Sequence, residues 1–157
     1  MNEPPRIYAD TSVFGGPIDP EFAEASKAFF QQVRLGTLEL VISSPVEEEI
    51  APAPPDVGRL FDEMLGLADI IFPDSDAIQL RDAYLQAGIV TKSSLEDALH
   101  VALAPASRCS MIVSWNFQHI VHFRKIPLYN AVNSIRGFPP LAIHSPSEVI
   151  DYEEKGL

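Results

Sequence analysis

Short apolar runs alternate with longer segments of helical period along the whole chain, and this pattern restricts it to a strand–helix–strand architecture. Arg6-Ile7-Tyr8-Ala9 predicts a strand, stopped by Asp10-Thr11-Ser12 and a Gly15-Gly16-Pro17 turn. From Glu21 to Leu35, Phe22, Ala25, Phe29, Phe30 and Val33 recur at helical spacing, with Asp19-Pro20 as the start signal and Gly36 as the stop. Leu38 to Ser43 predicts a second strand; Ser44-Pro45 caps a short helix bearing Glu47-Glu48-Glu49-Ile50; Asp56 to Gly66 is amphipathic. Asp69 to Phe72 predicts a third strand, Asp74 to Ala87 a helix closed by Gly88, and Leu95 to Ala104 a helix stopped by Pro105. The strand Ser110–Ser114, the helix Ile126–Ile135 and the strand Leu141–Ile143 complete the series before a Ser145-Pro146 cap. There is no internal repeat. The expected fold is a single α/β domain over residues 1–157, with a central, mostly parallel sheet and helices on both faces. In such sheets functional groups gather at the carboxyl ends of strands, which is where Asp10, Ser44 and Asn116 fall.

A net charge of −11 is unusual for a protein that grips nucleic acid through its own cations. It suits a soluble domain, or a nucleic-acid enzyme whose local positive charge comes from divalent ions. One cysteine, Cys109, excludes an internal disulfide and fits a reducing cytoplasm. No apolar run approaches the roughly 20 residues of a membrane span, and MNEPPRIYAD lacks a signal-peptide pattern.

Three acidic segments stand far apart in sequence. Asp10 directly follows the first strand, where a turn-capping role is the ordinary alternative. Beside the triplet Glu47-Glu48-Glu49, Val46 and Ile50 point to the core and Glu49 lies nearest that side, but on the residues alone the triplet reads as a solvated first turn. Glu96 and Asp97 open the apolar helix LEDALHVALA, where first-turn acids also suit the helix dipole, and Asp97 shares a face with His100. Converging carboxylates repel by about 4 kcal/mol at 4 Å and an effective dielectric of 20. A divalent cation removes that repulsion, and all-oxygen ligands suit Mg²⁺ or Mn²⁺. His100 reads as a hydrogen-bonded core histidine. His119 and His122 would share a face on a helix, but no nearby cysteine completes a zinc pattern. Trp115 reads as half-buried core with the capacity to stack a base.

IYADTSVFGG, LELVISSPVEEEIAPAP, LEDALHVALA and IVSWNFQHIV, in that order over residues 6–150, resemble the PIN domain of metal-dependent ribonucleases, including VapC-like toxins of toxin–antitoxin pairs. The resemblance implies that Asp10, Glu49 (with Glu48 as the alternative) and Asp97 ligate one Mg²⁺ or Mn²⁺. Asn116 stands where many members have a fourth acid, and the implied role is accessory, through its amide. The implied partners are an RNA substrate, an antitoxin protein and a second copy of the chain, with no membrane. Two other readings stay open: a non-catalytic PIN-fold module that binds RNA or protein, and a phosphotransfer domain with Asp10 as nucleophile.

Overall fold

In the computed structural model, which describes residues 3–150, five short strands form one parallel sheet. They are β1 (Arg6–Ala9), β2 (Glu39–Ser43), β3 (Asp69–Ile71), β4 (Met111–Val113) and β5 (Ala142–His144), in the spatial order β3-β2-β1-β4-β5. Every neighbouring pair is parallel, with Tyr8 opposite both Val41 and Ile112. The helices are α1 (Thr11–Gly15), α2 (Ala23–Leu35), α3 (Ser44–Ile50), α4 (Pro55–Leu65), α5 (Ser75–Gln86), α6 (Leu95–Ala106), α7 (Ile126–Ile135) and α8 (Pro146–Val149). Residues 1–2 and 151–157 of the expected domain lie outside the described residues.

The central strands are apolar because a parallel sheet with helices on both faces leaves neither side to water. Ile7, Tyr8, Ala9, Leu40, Val41, Ile42, Ile112 and Val113 are all buried. Phe14, Phe29, Phe30 and Phe61 pack edge to face where α1, α2 and α4 meet, the favoured geometry for rings of this kind. At the amino end of the sheet Arg6 ties three strands together: its guanidinium binds Glu39 at 2.9 Å and Asp69 at 2.8 Å, and Nε donates to the carbonyl of Ser107. That clamp leaves the carboxyl end free for other use.

Chain order reverses between β1 and β4, the position at which functional groups gather in other open α/β sheets, and here the segments after the two strands are tied together through Ser12. Four local expectations are corrected. Thr11–Gly15 is a helical turn, because Val13 and Phe14 both bury against the core. The helix after Asp19 begins at Ala23; Asp19 instead accepts from the amide of Glu21 in the preceding turn. Pro105 does not stop α6, which runs on to Ala106. The amides of Ser107, Arg108 and Cys109 then take up the last carbonyls, with Arg108 in the left-handed region. Residues 116–125 form turns, so His119 and His122 share no helical face.

Candidate functional site

Asp10 leaves the central strand at the switch point and is buried, 4% exposed. Ser12 Oγ donates to its Oδ1 at 2.6 Å and Ser114 Oγ to its Oδ2 at 2.8 Å. Burial pushes the Asp10 carboxyl up and the charge of Asp97 adds to this, while His100 and the two serine hydroxyls oppose it; the net shift is upward. The influence of Asp97 means that the first turn of α6 brings its acid near Asp10.

Glu49 projects from α3 while Glu47 and Glu48 face solvent. Of Glu48 and Glu49, the latter is the less exposed and lies on the side of the buried Val46 and Ile50. Both Glu49 carboxylate oxygens lie 3.1 Å from His100 Nε2, and Thr11 Oγ1 donates to Oε1 at 2.5 Å. On its other side Glu49 borders an open cleft of about 530 Å³ shared with Ser44, Pro45, Glu48, Pro73, Glu96 and Leu99. A larger groove, about 780 Å³, lies far from these acids, beside Pro105, Cys109 and the Phe138–Pro140 turn.

His100 is the residue whose importance the sequence understated. It is 3% exposed, as a core histidine should be, yet it faces the acids. Its Nδ1 is 2.6 Å from the Tyr8 hydroxyl, which is 2.8 Å from Ser43 Oγ. Burial lowers its pKa, but the Glu49 hydrogen bond and the charges of Asp10, Glu49 and Asp97 outweigh that and hold it above the ordinary value. The same contacts act in reverse on Glu49, where burial is outweighed by His100 and Thr11 and the carboxyl is held down. The spacing of Asp97 and His100 on one face hinted at this arrangement; the partnership with Tyr8 on another strand left no local trace.

Asn116 accepts the amide of His119 on its Oδ1 at 2.9 Å, and its own amide donates to Ser114 Oγ at 2.9 Å. Its side-chain oxygen is thus engaged in a turn, an Asx-type bond that shapes the loop after β4. Trp115 is half-buried as expected: its amide donates to Ser12 Oγ and its indole Nε1 to Ser26 Oγ, both at 2.8 Å.

Three hard oxygen donors from Asp10, Glu49 and Asp97 fit Mg²⁺ or Mn²⁺ in chemistry. Their charges converge, since all three act on His100. Their spacing is wider than a ligand shell: among the described residues no three His, Cys, Asp or Glu side chains are grouped so as to hold a metal ion.

The strand order, the helices on both faces and the acids at the carboxyl edge define a PIN-like α/β fold. No family model matches the chain, and no curated protein matches it by sequence. Among solved structures the chain is similar in fold to VapBC2 from Rickettsia felis bound to a DNA fragment from their promoter, with TM-score 0.56 and 16% identity over 89% of this chain and 98% of the other. It is similar also to FitAB bound to the IR36 DNA fragment, with TM-score 0.58 and 13% identity over 94% and 99% of the two chains. A third such structure is FitAcB from Neisseria gonorrhoeae, at TM-score 0.56 and 15% identity over 89% and 97%. Among the described residues no helix is long and apolar enough to cross a membrane.

Proposed function

We propose that the chain is a divalent-metal-dependent endoribonuclease of PIN type, the toxin of a toxin–antitoxin pair. The observation that carries this reading is the convergence of Asp10, Glu49 and Asp97, from three separate segments, around His100 at the switch point of the sheet. Asp10, Glu49 and Asp97 would hold one Mg²⁺ or Mn²⁺. Such an ion activates water and stabilises the leaving oxygen of a phosphodiester. The chain's own part is to fix Asp10 between two serine hydroxyls and to keep Glu49 ionised beside His100. Asn116 serves this site by shaping the loop after β4, an accessory role in which its side-chain oxygen holds the His119 amide. An antitoxin partner is supported by the fold shared with VapBC2 and FitAB, and a homodimer follows from the same family reading.

The wide spacing of the acids and the engaged amide of Asn116 favour a second reading, a PIN-fold module that binds RNA or protein without cutting. Calorimetric titration of Mn²⁺ into the wild type and Asp97→Asn separates the two, because it needs no known substrate. Binding by the wild type that is lost in the variant supports the nuclease. No binding by a folded wild type leaves the binding module.

A further inference from the structure

We propose that the connection between β4 and α7, residues 115–125, is a platform for single-stranded RNA, on which unpaired bases stack against Phe117 and Phe123 while Arg124 takes a phosphate. This inference rests on the nuclease reading and adds to it the surface on which the substrate lies.

The charge of the chain is not spread evenly. Residues 98–147 contain Arg108, Arg124, Lys125 and Arg136, all four histidines, and no Asp or Glu. The stretch therefore carries +4 and the rest of the chain −15, and a polyanion approaching the acids of the site meets the least repulsion along it. The connection after β4 is the part of that stretch joined directly to Asp10. Ser12 Oγ, which donates to Asp10, also accepts from the amide of Trp115.

Its backbone is hydrogen-bonded into the fold, while two of its aromatic rings reach solvent. The amides of Ile120 and Val121 both bond the carbonyl of Asn116, Tyr129 OH donates to the carbonyl of His119 at 2.6 Å, and Lys125 Nζ donates to that of Ile89 at 2.7 Å. Ile120 is fully buried, whereas Phe117 is 49% and Phe123 76% exposed. Phe117 stands edge-on to Trp115 with centroids 6.1 Å apart. Phe123 lies nearly parallel to His122, with the Arg124 guanidinium 5.4 Å from its centroid. Two exposed rings on a loop anchored by its backbone, Phe123 with a cation over part of its ring, present π-faces at little ordering entropy. Stacking does not need a net positive protein, so it suits a chain that gains little from counterion release. Phe22 stacks on the Trp115 ring and is tilted against Phe117 at 6.4 Å between centroids, so it backs both rings.

The test is binding of a fluorescently labelled, mixed-sequence single-stranded RNA, measured by anisotropy with metal chelated, alongside emission from Trp115, the one tryptophan of the chain. Phe117→Ala and Phe123→Ala change exposed rings and should leave the fold intact. Each should weaken binding about tenfold. Arg124→Ala should lower the slope of log affinity against log salt by roughly 0.7. RNA should shift Trp115 emission, and the duplex of the same sequence should bind more weakly. Wild-type binding that all three substitutions leave unchanged overturns the platform while sparing the nuclease reading. So does equal binding of duplex, or metal-dependent cleavage without any such binding. Neither binding nor cleavage sinks both. If Phe117→Ala instead releases a protein partner and leaves RNA binding alone, the surface is a protein-docking site and the proposal is wrong.

Discussion

His100 Nε2 lies equidistant, at 3.1 Å, from both carboxylate oxygens of Glu49, and joins α6 to α3 across the carboxyl end of the sheet. This pair governs how stability should depend on pH. His100 is held above its ordinary value of 6.5, so its contribution is complete below 6.5 and is lost as pH rises through the raised folded value. Glu49 is held below its ordinary 4.5, so its contribution is complete above 4.5 and is lost as pH falls through the lowered value. The pair is therefore fully stabilising between about pH 4.5 and 6.5. Urea unfolding of the metal-free protein should show stability falling above pH 6.5. His100→Gln should lower stability at pH 6 by about 2 kcal/mol and abolish that fall. A fall of the same size in the variant would mean that another group causes it.

Tyr8→Phe tests the inner end of the same chain of hydrogen bonds. The hydroxyl it removes lies between Ser43 Oγ and His100 Nδ1, all three side chains being buried. Ser43 keeps the amide of Val46, a long bond at 3.4 Å, but His100 Nδ1 loses its partner. Leaving one buried polar atom unsatisfied costs about 1–3 kcal/mol. Thermal or urea unfolding should register that loss, and a change below about 0.5 kcal/mol would show that water replaces the hydroxyl.

Periodicity made the strands and long helices legible, because a doubly covered parallel sheet demands apolar strands and one-sided helices. The helix Ile126–Ile135 lies where the spacing predicted it, and the αL glycines Gly36 and Gly88 end their segments as expected. Side-chain direction was legible at Glu49, whose neighbours Val46 and Ile50 fix the face of α3. The role of His100 was not, because Tyr8 and Glu49 reach it from elements 92 and 51 residues away. Nor was the role of Asn116. Its residue type allows ligation or turn-capping equally, and only the position of the His119 amide shows that the oxygen is occupied.

Asn116→Asp and Asn116→Ala separate those two capacities. Aspartate keeps an oxygen for the His119 amide, so the loop should hold and stability change by less than about 0.5 kcal/mol. Its added charge on the loop after β4 should tighten Mn²⁺ binding in calorimetry. Alanine removes the acceptor and should cost about 1 kcal/mol, as lost caps do. An alanine variant as stable as the wild type would show that the bond to His119 contributes nothing.

Gly16 tests how firmly Trp115 is held beside Asp10. A Cβ built on Gly16 would stand 1.9 Å from Ser26 Oγ and 2.7 Å from its Cβ, and 3.0 Å from Trp115 Nε1. It would occupy the space in which Ser26 accepts the indole N–H. The φ of Gly16 is −58°, an ordinary helical value, so Gly16→Ala carries no backbone penalty and its effect is steric. Relief requires Ser26, fully buried on α2, to rotate or the helix to shift. Crowding of this kind costs about 1–3 kcal/mol, and the indole should lose its partner. Gly16→Ala should therefore lower the unfolding midpoint and shift Trp115 emission in the folded protein. Ser26→Ala, which removes the acceptor without crowding, should reproduce the emission shift with a smaller loss of stability. An emission shift in Ser26→Ala but not in Gly16→Ala would show that the loop yields to the added methyl and keeps the bond.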